Sequence, residues 1–220
     1  MVVNRAIFLD KDGTLIPDIP YNVNVELISL SAHAIEGLQL LQRLGYIFIV
    51  ITNQPGIGKG LFSDGDVMAV NDKLEALLAD AGIKLSGFYY CPHDPASLKT
   101  LFGLTCKCRK PKPGLLYRAA RELNIDLPSS WLIGDILHDV EAGNAAGCKT
   151  ILINNGNETE WIVNEERTPD MIVAHINAAS AYIFEMDLQK IRYGNQHKLM
   201  TASSHLKILS NENIIGALYQ

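Results

Sequence analysis

Apolar residues occur along this chain either in short unbroken runs or at helical spacing, and the two patterns take turns. Ala6 to Leu9, Tyr46 to Ile51 and Trp131 to Ile133 are continuous apolar runs, the pattern of strands buried on both faces. Gly87 to Tyr90, Thr150 to Ile153 and Asp170 to Val173 read as three further strands. Between them, Ile35, Leu38, Leu41 and Leu44 predict a helix capped by Ser31 and ended by Gly45. Val67, Val70, Leu74, Leu77 and Leu78 predict a second, about Asp64 to Ala81, capped by Ser63 and ended by Gly82. Leu115, Leu116, Ala119, Ala120 and Leu123 predict a third behind Pro113, and Asp139 to Ala146 a fourth. Strands alternating with helices in this way imply an α/β fold with a doubly wound parallel sheet. Ligands bind such sheets at the carboxyl ends of the strands, so Asp10, Thr52 and Asp135, each directly after an apolar run, are expected to converge on one crevice.

Beyond about Ile176 the alternation stops. Residues 1–176 therefore read as one domain and residues 177–220 as an extension of no assigned role. From Ile176 onward, Ile176, Ile183, Phe184, Leu188 and Ile191 suggest a helix, Gly194 to Ser204 a linker, and Ile214 to Leu218 a packing segment.

Composition narrows the class. With 220 residues, 48% of them hydrophobic and 20% charged, the chain can bury an ordinary globular core. A formal net charge of −5 supplies no cationic field for nucleic acid, although local charge still permits small phosphorylated ligands. The first residues run straight into a strand without a signal-peptide pattern, and no apolar run approaches membrane-spanning length. These features lead to the expectation of a cytoplasmic protein with no membrane or nucleic-acid partner.

The chemistry-bearing residues lie at the ends of the predicted strands. Asp10 and Asp12 stand two apart before Gly13-Thr14, a spacing suited to a nucleophile and a general acid that share one phosphate and one metal. Thr52-Asn53-Gln54 follows the second strand, and Gly134-Asp135 a later one, with Asp139 four residues on. Asp139 reads equally as a helix-start residue favoured by the macrodipole or as support for a metal ligand. Pro55 to Gly60 fails as a nucleotide-binding P-loop, because Asn53 stands at its first glycine position and Gly60 follows Lys59; it reads instead as a mobile loop over a site.

Cys91-Pro92-His93 and Cys106-Lys107-Cys108 are two ligand pairs flanking one insertion, about 91–113. Cys91, His93, Cys106 and Cys108 make a Cys₃His set for structural zinc, with an incidental grouping as the alternative. Arg109-Lys110 follows the last ligand directly, so the metal would also fix where these cations point. Cys148, outside the set, reads as a small buried residue.

In this order and on these elements, Asp10-x-Asp12-Gly13-Thr14, Thr52-Asn53, Lys110 and Gly134-Asp135-x-x-x-Asp139 resemble the phosphatases of the haloacid dehalogenase superfamily. With Cys91-Pro92-His93 and Cys106-Lys107-Cys108-Arg109-Lys110-Pro111 they resemble its zinc-containing branch, which acts on heptose bisphosphate and histidinol phosphate. The resemblance implies that Asp10 attacks phosphorus, that Asp12 serves as acid and base, and that Asp10, the Asp12 carbonyl and Asp135 hold magnesium. It implies that Thr52, the Asn53 backbone amide and Lys110 hold phosphoryl oxygens, and that Asp18, Tyr21, Gln54 and Arg109 contact substrate. It further implies a Rossmann-like core without a large cap, a monomer, and a small phosphorylated sugar as substrate. Two positions depart from the heptose enzymes: Ile136 stands where they carry Lys, and Ile19 where they carry a polar residue after Asp18. A zinc-stabilised binding protein without turnover is the reading from another class, and the presence of Asp10, Asp12, Lys110 and Asp135 together speaks against it.

Overall fold

A computed structural model describes residues 3–94, 96 and 106–192. The expectations for Gly194 to Ser204 and Ile214 to Leu218, and the middle of the insertion, lie outside the described residues. The six strands are β1 (Arg5–Leu9), β2 (Tyr46–Asn53), β3 (Leu85–Cys91), β4 (Trp131–Gly134), β5 (Lys149–Ile153) and β6 (Met171–Val173). They form one sheet in the order β3-β2-β1-β4-β5-β6, and every neighbouring pair is parallel. Sheet order reverses at β1, so the carboxyl ends of β1, β2 and β4 frame the crevice where such sheets bind ligands.

Parallel strands need crossovers, supplied here by α1 (Ala34–Arg43), α3 (Asp64–Asp80), α4 (Gly114–Leu123) and α5 (Leu137–Ala146). Their apolar stripes make the core: Leu38 and Leu41 of α1, Val70 and Leu74 of α3, and Leu115, Leu116 and Ala119 of α4 are buried. The α4 residues cluster with Phe8, Ile49, Ile51, Leu132 and Ala142, so the central strands are clamped by side chains rather than by propensity alone. Cys148 is buried in the same cluster, as expected, and burial pushes its thiol up to about 12.

Two local expectations fail. Ser31 does not cap α1; the cap position is His33 in the left-handed region (φ 63°), with no side-chain cap, while the Ser31 carbonyl accepts from Ala34 N at 3.1 Å. The stretch read as a mobile loop over the site is instead a short helix, α2 (Pro55–Lys59), closed by Gly60 at φ 71°. Two of its five residues are glycine, which hides it from propensity, but Pro55 at its start has the φ a first turn requires. By contrast Ser63 caps α3 as expected, forming a reciprocal capping box with Asp66.

The chain divides into two compact units, Met1–Ala181 and Tyr182–Gln220. Residues 176–181 of the first and 182–192 of the second are helical, in keeping with the spacing of their apolar residues. Among the described residues no helix is long and apolar enough to cross a membrane.

Candidate active site

The turn after β1 builds the centre of the site. Asp10 N donates to the Ile133 carbonyl at 3.0 Å, binding the first catalytic candidate to the end of β4. Gly13 N donates back to the Ile16 carbonyl at 2.8 Å, with Gly13 at φ +80°, a conformation that favours glycine. Space demands glycine as well, since a Cβ there would lie 2.0 Å from Asp135 Oδ2. At the end of β4, Gly134 leaves room for Asp139, whose Cβ would sit 2.3 Å from a Cβ at position 134.

These turns bring Asp10, Asp135 and Asp139 together with one carboxylate oxygen of each within 4.8 Å of the others. Lys110 Nζ reaches into the group, donating to Asp10 Oδ1 and to the Ile51 carbonyl at 2.8 Å, and pairing with Asp139 Oδ1 at 2.6 Å. Asp139 Oδ2 also accepts from Ile136 N at 3.4 Å, so this residue serves the start of α5 and the charged cluster at once. Its helix-start reading is therefore visible in its contacts.

Burial dominates the electrostatics. Taking Asp10 out of water raises its carboxyl to about 6, with Lys110 opposing the shift and Asp139 adding to it. Burial, reinforced by Asp10 and Asp139, raises Asp135 to about 7. For Lys110 burial acts downward, but the two carboxylates outweigh it and hold the ammonium well above the usual lysine range. Three buried carboxylates facing one ammonium leave excess negative charge among hard oxygen donors, a setting that fits a divalent cation such as magnesium.

Asp12 is oriented from two sides. Lys11, buried rather than solvated, pairs with Oδ1 at 2.6 Å, and Gln54 Nε2 donates to Oδ2 at 3.1 Å while also donating to Thr52 Oγ1 at 3.0 Å. Burial raises the Asp12 carboxyl, the direction a proton donor needs.

Asp10, Asp12, Asp18, Thr52, Asn53, Lys110 and Asp135 all line one cleft of about 200 Å³, together with Ile136 and Asn157. A larger groove of about 520 Å³ runs along β3, but its charged residues Asp64, Glu122 and Arg118 are engaged with Tyr90, Tyr89 and one another. The reactive groups thus converge on the smaller space. Asn53 contributes through its side chain, which donates to the Lys110 carbonyl at 3.1 Å and accepts from Lys110 N at 3.0 Å. Three predicted contacts stand back from the cleft: Gln54 is spent on Asp12, Arg109 Nη1 lies 3.5 Å from the His93 carbonyl, and the exposed Tyr21 accepts from Lys59 Nζ at 2.6 Å. Sequence reasoning passed over Asn155 and Asn157, whose signal was a cluster of turn-forming polar residues immediately after β5.

The second cluster follows the end of β3. Cys91 Sγ lies 3.5 Å from His93 Nδ1, 3.8 Å from Cys106 Sγ and 3.3 Å from Cys108 Sγ, and Cys108 Sγ lies 3.3 Å from His93 Nδ1. A tetrahedron with zinc–ligand bonds of about 2.0–2.3 Å has edges of about 3.3–3.8 Å, the range of these four separations. The predicted Cys₃His set is thus gathered in one place.

A family profile described as HAD-hydrolase-like matches residues 107–179. The D-glycero-beta-D-manno-heptose-1,7-bisphosphate 7-phosphatase of Pasteurella multocida is 41% identical over 155 residues, covering 70% of this chain and 84% of that protein. The protein of the same name from Escherichia coli K12 is 35% identical over 168 residues, covering 72% of this chain and 88% of its own length. Among solved structures, D,D-heptose 1,7-bisphosphate phosphatase from B. bronchiseptica, complexed with magnesium and phosphate, matches at TM-score 0.71 and 27% identity, covering 83% of this chain and 99% of that one.

Proposed function

The chain belongs to the D-glycero-beta-D-manno-heptose-1,7-bisphosphate 7-phosphatase family of haloacid-dehalogenase-like hydrolases, and from that premise we propose that it removes the 7-phosphate of this sugar bisphosphate through an aspartyl-phosphate on Asp10. The observation that carries the reading is the buried grouping of Asp10, Lys110, Asp135 and Asp139 beside Asp12 in one cleft.

In the forward half-reaction an Asp10 oxygen attacks phosphorus and the bond from phosphorus to the C7 oxygen breaks. Asp12, held by Lys11 and Gln54, gives its proton to the departing alkoxide. The resulting Asp12 carboxylate then takes a proton from water as that oxygen attacks phosphorus, releasing phosphate and restoring Asp10. Lys110 offsets charge on Asp10 and, with Thr52 and the Asn53 backbone amide, would hold the phosphoryl oxygens in the cleft these residues line. Magnesium, held by Asp10, the Asp12 carbonyl and Asp135 with Asp139 beside them, would supply charge neutralisation on the transferring group. Zinc on Cys91, His93, Cys106 and Cys108 would have a structural role, fixing the loop that delivers Arg109 and Lys110.

We further read the protein as a cytoplasmic monomer, its free thiols suiting a reducing compartment. A second reading, histidinol phosphate as substrate, draws on Ile136, an apolar side chain in the cleft lining. Phosphate release from the heptose bisphosphate, histidinol phosphate and hexose phosphates, with magnesium, separates the two. The first reading expects kcat/KM highest for the bisphosphate; a preference for histidinol phosphate would overturn it.

A further inference from the structure

The segment after β5 reaches three parts of the site from one short stretch. Asn155 Nδ2 donates to the Gly13 carbonyl at 2.6 Å, within the turn that carries Asp10 and Asp12. Asn157 Nδ2 donates to Asp135 Oδ2 at 2.7 Å, and Glu158 Oε2 accepts from Leu137 N at 2.5 Å in the first turn of α5. The segment is braced internally, since Asn157 N donates to Asn155 Oδ1 at 3.2 Å. It also passes very close to the turn after β1, where a Cβ on Gly13 would lie 2.4 Å from Asn157 Nδ2.

Asp135 is thereby held at both oxygens, by Asn157 on Oδ2 and by Thr14 Oγ1 on Oδ1 at 3.3 Å. A carboxylate held at both oxygens has its terminal torsion set before a cation arrives, and magnesium tolerates little departure from octahedral geometry. We propose that Asn157 is a positioning residue that sets the Asp135 carboxylate for magnesium. The inference rests on the magnesium site of the proposed function.

The test is calorimetric magnesium binding to the full-length, zinc-loaded chain, with the melting midpoint in the absence of magnesium and the magnesium dependence of turnover as companions. Asn157→Ala removes the donor, and Asn157→Leu removes it while keeping nearly the same bulk. Both variants are expected to bind magnesium about tenfold or more weakly, within the range seen for outer-shell partners of metal ligands. The magnesium concentration that half-saturates turnover is expected to rise with the loss of affinity, because Asn157 acts through Asp135. Magnesium affinities within about twofold of wild type would overturn the proposal. So would a fall in melting midpoint or in saturated kcat with unchanged magnesium affinity, which is the signature of a packing role. Failure of the wild-type chain to bind magnesium at all would sink the metal-site reading itself, and Asp135→Asn, expected to lose most of the binding, marks that boundary.

Discussion

The Asp10 cluster and the Cys91 cluster both gather metal-binding side chains, but they are held together by different means. Asp10, Asp135, Asp139 and Lys110 are all buried, and the three carboxylates sit at the end of a strand or in the first turn of α5. Lys110 supplies an internal counter-charge to Asp10 and Asp139. At the other cluster only Cys91 is buried, at the end of β3, while His93, Cys106 and Cys108 are half-buried on loop backbone. Burial pushes the thiols of Cys91 and Cys108 upward, whereas at Cys106 burial is outweighed by hydrogen bonds from backbone and the neighbouring thiols and the thiol is held down. The first cluster is carried by strand ends and the first turn of α5; the second is carried mainly by loop backbone. The two are joined in sequence, since Cys108 precedes Arg109-Lys110 and Lys110 is the cation of the first site.

The strongest way to break this contrast is Lys110→Met. It leaves Asp10 and Asp139 buried without a counter-ion, with an expected stability loss of about 3–5 kcal/mol and loss of turnover. Denaturant unfolding beside a phosphate-release assay measures both, and a variant as stable as wild type would show that the sheet alone holds the cluster. Cys108→Ser comes next. It should lower bound zinc from about one per chain and shift Lys110, and a misplacement of about 1 Å at a reacting centre costs about 100-fold in rate. Elemental analysis and kcat test it; full activity in a zinc-free variant would separate the two sites.

A smaller effect is expected from pH. Folding raises Asp135 to about 7 and Asp10 to about 6 from 3.8, so between about 4 and 7 the folded state holds protons that the unfolded state releases. Without magnesium, stability contributed by these groups is full below that window and lost as pH rises through it. Melting midpoints should therefore fall between pH of about 6 and about 7, and saturating magnesium, which binds the ionised carboxylates, should cancel the fall. A rise in the metal-free midpoint over this range would contradict the buried, under-compensated cluster.

The sheet was readable because its strands are uninterrupted apolar runs, a pattern few other elements produce. The positions of Asp10, Thr52 and Asp135 were readable for the same reason, since each ends such a run. What escaped reading depends on tertiary contact. α2 is a helix despite Gly56 and Gly58. The cap of α1 lies at His33, a residue with no capping preference. Asn157 is chemically ordinary until β5 and β4 pair and bring it to Asp135, over a sequence separation of 22 residues. Lys11 has no role assigned from sequence, and only the closed turn reveals it as the buried partner of Asp12.

The central claim is that Asp10 is the nucleophile. It is tested most directly by quenching a single turnover of the heptose bisphosphate, reducing any acyl phosphate with borohydride and mapping the product by mass spectrometry. The account predicts homoserine at position 10 in the wild-type chain with magnesium, and none in Asp10→Asn. Turnover with no modified residue, or modification at another carboxylate, would contradict it.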